Sequence, residues 1–239
     1  MDKKVMISVV TPTYNERENV PLFLGSICPF LSSLKQPFEV IIVDDNSPDG
    51  TSAIVNSLKS KYPQVSLLKR VGKRGIGSAY SAGFAKAKGD IIIAIDVDLS
   101  QSLTTIPLFL EKLKAGDDMV IASRYLPGSE VRNISFYRQL GSRFFNMFVK
   151  FSLALPALDS THSYRAFKKN IFRDVGKRIE ETGHPSFFIE LSFWTNKAGY
   201  RISEVPTIFV ERIHGQSKLN TFQGLKNAYC TISRLKKRS

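Results

Sequence analysis

The chain has 239 residues, 43% of them hydrophobic, and a formal net charge of +13. That is enough apolar material for one sizeable core, and the chain reads as a single α/β domain over residues 1–239. Cys28 and Cys230 lie far apart without metal-ligand spacing, which argues against a disulfide framework or a Cys zinc site. The strand-like Ile7 to Val10 comes too early for a secretory signal. No charge-free run approaches the roughly 20 apolar residues of a membrane span, so a soluble or peripheral chain is expected.

In chain order, β-branched apolar runs predict strands at Ile7 to Thr11, Val40 to Val43, Val65 to Leu68, Ile91 to Ile95 and Met119 to Ala122. Between them, helices are expected at about Asn19 to Leu34, Thr51 to Tyr62, Gly77 to Lys88 and Thr104 to Lys114, with Pro29 bending or splitting the first. This alternation predicts a mainly parallel sheet covered by helices on both faces. Beyond Arg124 the chain turns basic and aromatic. It then offers a short strand at Tyr164 to Phe167, a helix around Phe187 to Ala198, a strand at Ile202 to Val210, a loop at Gly215 to Leu219 and a basic terminal helix near 222–238.

Charge is uneven: residues 1–100 carry 12 Lys and Arg against 10 Asp and Glu, whereas residues 101–239 carry 22 against 11. The basic half suggests an anionic partner, whether nucleic acid, a phosphorylated substrate or an anionic membrane face, and charge alone does not choose. Asp96-Val97-Asp98 directly follows the apolar run ending at Ile95. Two carboxylates at that spacing are as readily solvated loop acids as ligands, but the carboxyl end of a strand is where open α/β sheets bind ligands. Carboxylate oxygens suit Mg²⁺ or Mn²⁺ shared with substrate phosphates, as in the diphosphate of a nucleotide-sugar. Gly75-Ile76-Gly77 matches neither a dinucleotide fingerprint nor a P-loop and reads as turn and packing glycines.

Six ordered segments carry a resemblance. They are Pro12 to Asn19, Val43 to Thr51, Gly75 to Tyr80, Asp96 to Ser100, Ser123-Arg124-Tyr125, and Val210 to Leu219. The chain resembles family 2 glycosyltransferases with the GT-A nucleotide-sugar-binding fold, most of all the dolichyl-phosphate mannosyltransferases. The resemblance implies donor contacts at Pro12, Tyr14, Glu16, Val43, Asp45, Asp96, Val97 and Asp98, and metal ligation by Asp96, Asp98 and Ser100. It also implies that Arg124, Arg212 and Lys218 act with Asp98 on the donor phosphates or transferred sugar, and that Arg138 and Ser142 grip the acceptor phosphate. Two departures stand out. Val97 and Gln101-Ser102-Leu103 occupy positions where relatives commonly have Ala and His-His-Pro, and His162 stands where Gly or Ser is usual, so it either narrows the acceptor path or points outward.

The reaction so implied is metal-dependent, inverting transfer of a hexose to dolichyl or polyprenyl phosphate. GDP-mannose is the favoured donor and UDP-glucose the alternative. The setting is the cytosolic face of a membrane, the endoplasmic reticulum in a eukaryote or the plasma membrane in a prokaryote, with a small transmembrane subunit as a further partner. An ionised phosphate acceptor needs no general base; a saccharide hydroxyl would, and Glu190 could be put forward for it. A basic nucleic-acid binder is the competing class, though no RNA-binding signature is present. Residues 136–158 read as a basic amphipathic interfacial segment in which Phe144, Phe148, Phe151 and Leu155 share a helical face. That stripe either packs on the sheet or meets a bilayer.

Overall fold

A computed structural model describes residues 4–72, 75–180, 186–211 and 221–238. Seven strands form the main sheet: β1 (Ile7–Thr13), β2 (Phe38–Asp44), β3 (Val65–Lys69), β4 (Ile91–Ala94), β5 (Met119–Ser123), β7 (Arg165–Lys168) and β8 (Ile202–Pro206), in the order β3-β2-β1-β4-β7-β5-β8. Only β7 runs antiparallel to its neighbours. Two short strands, β6 (Glu130–Arg132) and β9 (Ile208–Val210), pair separately.

The central strands are apolar without alternation because both faces are covered. Val9, Val40, Ile42, Ile93 and Val120 face α1 (Asn19–Ser33), α2 (Thr51–Leu58) and α4 (Thr105–Lys114). Their neighbours Val10, Ile41, Val43, Ile92 and Ile121 face α3 (Ile76–Lys86), α6 (Lys169–Val175) and α7 (Ser186–Lys197). Gly83 lets α3 lie close on β1, since a Cβ there would come within 2.3 Å of the Val10 side chain. A third cluster joins α5 (Phe136–Leu153), α7 and α8 (Thr221–Lys237) through Val149, Leu153, Ile189, Phe193, Ala228 and Ile232.

Several expectations are corrected. Pro29 does not split α1: it lies on the exposed face, where the carbonyl it leaves unpaired can reach water, while Phe23, Leu24, Ile27 and Leu31 anchor the other side. The expected strand at 202–210 breaks at Thr207, whose hydroxyl meets Thr105 Oγ1 at 2.9 Å and whose carbonyl accepts from Glu130 N, so the chain leaves the main sheet to pair with β6. Neither three-residue β6 nor α6 was anticipated. Leu155 lies past the end of α5 and is buried, so it does not belong to the exposed stripe. The loop expected at Gly215 to Leu219 falls outside the described residues.

Candidate active site

The strand order sets the site. β1, β2 and β3 step one way across the sheet and β4 lies on the other side of β1, so the chain reverses between β1 and β4 and leaves a crevice at their carboxyl ends. Pro12, Tyr14 and Glu16 come from the β1 end, Val43 and Asp45 from the β2 end, and Asp96, Val97 and Asp98 follow β4. All the described residues expected to contact a donor nucleoside or diphosphate are thereby gathered on one edge, Arg124 among them at the carboxyl end of β5, which runs parallel to β4.

The β2 loop is tied down by carboxylates. Asp44 accepts from Thr13 Oγ1 at 3.0 Å, Ser47 N at 3.1 Å and Ser52 Oγ at 2.6 Å, which fits a loop-orienting role. Asp45 is buried and pairs with Arg70 Nε at 2.7 Å. Glu16 accepts from the Asn19 side chain at 2.6 Å, and its carbonyl starts α1.

After β4 the backbone turns sharply. Asp98 is 4% exposed, and its Oδ1 accepts both the N–H and the hydroxyl of Ser100, at 3.1 and 2.6 Å. That turn puts Leu99 in the left-handed region at φ 58°. Asp96 Oδ1 accepts from the Tyr80 hydroxyl at 2.7 Å, and Oδ2 from Gln101 Nε2 at 2.9 Å and Ser163 Oγ at 2.8 Å. Burial first, and then the Asp96 charge, push the Tyr80 hydroxyl well above its ordinary range, so it stays a proton donor. Among the described residues no group of three or more His, Cys, Asp or Glu could form a full protein cage. Two carboxylates and a hydroxyl at a crevice suit a Mg²⁺ or Mn²⁺ ion completed by substrate oxygens, so the donor set fits.

A second feature adjoins the first. Arg124, Tyr125, Ser129, Arg138, Ser142 and Arg143, with Phe136, Leu140 and Phe209, line a cavity of about 380 Å³ between the β5 end, β9 and the start of α5. Arg124 is gripped by buried Asp159, with Nε and Nη2 each 2.8 Å from a carboxylate oxygen. Ser142 Oγ meets the Tyr125 hydroxyl at 2.6 Å, and Arg138 Nη1 lies 3.6 Å from Glu211. Segment 159–163 joins the two features: Asp159 holds Arg124, and Ser163 holds Asp96. A larger apolar hollow of about 1200 Å³ opens at the opposite edge, where β1 and β4 begin. Among the described residues its only lining acid is Asp90, which accepts from Met6 N, and those residues do not reproduce the chemistry of the first edge.

His162 does not point outward. It is buried between Tyr164 and Phe209 with Nδ1 2.7 Å from the Ala122 carbonyl, and burial first, then Arg124, lowers it to about 4, so it is neutral near pH 7. Glu190 is 1% exposed and pairs with Arg234 at 2.6 Å, which ties α8 to α7 and removes it as a base. Arg212 and Lys218 lie outside the described residues. Sequence alone assigned no role to Tyr80, Tyr125, Gln101, Asp159 or Ser163, although Tyr80 and Tyr125 end two of the resemblance segments, Gln101 marks a departure and Asp159 to Ser163 is a polar run beside His162.

A model of the family described as "Glycosyl transferase family 2" matches residues 8–176. The chain is 34% identical over 219 residues to a polyprenol monophosphomannose synthase of Mycolicibacterium smegmatis, covering 89% of this chain and 80% of that protein. It is 35% identical over 230 residues to a dolichol-phosphate mannosyltransferase of Pyrococcus furiosus, covering 93% of this chain and 62% of the relative. Among solved structures, a mannosyltransferase from Pyrobaculum calidifontis in complex with GDP-Man and Mn²⁺ superposes with a TM-score of 0.65 at 17% identity, covering 100% of this chain and 66% of the other.

Proposed function

Since the chain belongs to glycosyl transferase family 2 and has the GT-A fold, and is therefore a glycosyltransferase, we propose that it transfers mannose from GDP-mannose to dolichyl or another polyprenyl phosphate, with inversion. One observation carries this reading: a carboxylate pair at the β1/β4 crevice and a cationic cavity under α5 share one edge of the sheet and are joined by segment 159–163. The relatives' activities, which concern polyprenol and dolichol phosphates, and the GDP-Man complex of the structural neighbour support it.

In the proposed reaction an acceptor phosphate oxygen attacks the anomeric carbon opposite the leaving group. The new C–O bond forms as the bond to the diphosphate breaks, and the electron pair departs with GDP. The phosphate is already ionised near neutrality, so no residue serves as base. Pro12, Tyr14, Glu16, Val43 and Asp45 hold the nucleoside, and Arg138 with Ser142 orients the nucleophile in the cationic cavity. Arg124, whose charge Asp159 offsets, is proposed to present its remaining N–H donors to the substrates, and Arg212 and Lys218 are proposed at the diphosphate. When bound, Mg²⁺ or Mn²⁺ held by Asp96, Asp98 and Ser100 would offset charge on the leaving diphosphate.

The test is a donor screen with a short polyprenyl phosphate and Mn²⁺, read by mass. GDP-mannose is expected to give the glycolipid. Product from UDP-glucose alone would select the alternative donor, and no product beside tight, salt-sensitive RNA binding would overturn the reading.

We place residues 1–239 as one catalytic unit lying on the cytosolic membrane face through α5. Among the described residues no helix is long and apolar enough to cross a membrane. The α5 stripe does not pack on the sheet: Tyr137, Phe144 and Phe151 are 85%, 61% and 75% exposed, with Leu140 and Phe148 between them. Phe136 and Leu140 also line the cationic cavity, so the stripe runs from the phosphate cavity outward, flanked by Arg138, Arg143 and Lys150. Phe148→Asp combined with Phe151→Asp is expected to cut flotation with anionic vesicles while leaving the circular dichroism melt unchanged. Unchanged flotation would transfer the membrane role to a small transmembrane subunit.

A further inference from the structure

We propose that Gln101 and Ser163 are positioning residues that aim the Asp96 carboxylate at the donor, an assignment that rests on the reading of Asp96 given above. A carboxylate has about four lone-pair positions. On Asp96, three are filled by Tyr80, Gln101 and Ser163, which leaves one on Oδ1, so the group is turned in a single direction.

Gln101 fixes Asp96 at two points. Its Oε1 accepts the Asp96 backbone N–H at 3.1 Å, which sets the amide orientation and directs Nε2 to Asp96 Oδ2 and, at 2.9 Å, to Ser163 Oγ. Ser163 arrives from a segment that is itself stiffly held. Glu204 accepts from Leu158 N and Asp159 N, each at 2.8 Å, and the fully buried Arg165 guanidinium donates to the carbonyls of Ser160 and His162. Gln101 is 4% and Ser163 1% exposed, so water does not compete for either bond.

All three donors to Asp96 are neutral. Asp45 and Asp159 are paired with Arg70 and Arg124, which offset their charge. Neutral donors orient a carboxylate without offsetting its charge, so Asp96 keeps its attraction for a cation arriving with the donor. Gln101 stands where the motif departs from His-His-Pro, and Ser163 lies beside the unusual His162. The clamp thus takes one of its donors, Gln101, from the segment where this chain departs from that pattern.

The experiment uses the full chain with Gln101→Met and Ser163→Ala, reading Mn²⁺ affinity by electron paramagnetic resonance and KM for each substrate. Losing one hydrogen bond to a charged group is expected to raise the Mn²⁺ Kd and the GDP-mannose KM about 10-fold to 100-fold. Acceptor KM should stay near wild type, and melting should fall by no more than the few degrees that a lost buried hydrogen bond costs. Ser163→Thr, which keeps the hydroxyl, should restore most of the loss. Ser160→Ala, on the same segment but with a hydroxyl that makes no hydrogen bond, should change none of these. Unchanged Mn²⁺ and donor affinity in both variants overturns the proposal, as does an equal rise of donor and acceptor KM with a melting temperature lowered further than that. Wild-type protein that binds GDP-mannose equally well in excess EDTA would instead remove the underlying reading of Asp96.

Discussion

Asp98→Asn is expected to slow hexosyl transfer by at least about 10²-fold to 10³-fold, the typical loss when a preorganised charge contact is removed. Asparagine matches aspartate in size and can keep its carbonyl oxygen toward the two Ser100 donors that set the turn. The other oxygen becomes an uncharged donor, so the substitution removes charge from the crevice without removing the turn. Asp96→Asn should act similarly: its amide nitrogen can face Tyr80, whose hydroxyl can reverse and accept, while the oxygen keeps Gln101 and Ser163. Both variants should melt near the wild-type temperature and lose Mn²⁺-dependent GDP-mannose binding. Wild-type turnover at full rate in excess EDTA would contradict the assignment.

The donor side of this site was legible in the sequence because it is built from strand ends. An apolar run terminated by Asp96-Val97-Asp98 marks both the strand and its carboxyl edge, and parallel pairing then brings Pro12, Val43 and Asp96 together without further information. The acceptor side was less legible. Arg138 and Ser142 were expected to share a helix face, but their cavity depends on β9 leaving the main sheet at Thr207 and on the three-residue β6, which carries no strand pattern. The clamp on Asp96 depends on Ser163, which lies 67 positions away in sequence, and no local pattern reports such a pairing. Amphipathic periodicity gave the α5 stripe but misplaced its end: Leu155 is in register, yet the helix stops at Leu153 with Ala154 in the left-handed region. The exposed surface extends the other way instead, through Leu140 to Tyr137 and Phe136.

Asp159→Asn is expected to cost about 3 to 5 kcal/mol of stability at pH 7, the usual penalty for leaving one partner of a buried ion pair uncompensated. Asp159 is fully buried, and the Arg124 side chain is only 19% exposed, so solvent screens the pair weakly. Three donors of Arg124 (its backbone N–H at 3.0 Å, Nε and Nη2) converge on this carboxylate. Burial alone would raise the Asp159 carboxyl, but the Arg124 guanidinium and its hydrogen bonds hold it below the ordinary range. A carboxyl depressed in the folded state stabilises fully above its unfolded value, about 3.9, and that contribution disappears as pH falls through the lower folded value. The stability gap between wild type and Asp159→Asn should therefore be constant around neutrality and narrow only below about pH 4, as read by urea unfolding across pH. Arg124→Met combined with Asp159→Leu removes both charges and should cost less than Asp159→Asn alone, because a buried pair replaced by apolar groups is often close to neutral for stability. A gap that stays constant down to pH 2, or a double variant less stable than the single one, would show that the pair's charge is not what holds segment 159–163 against β5.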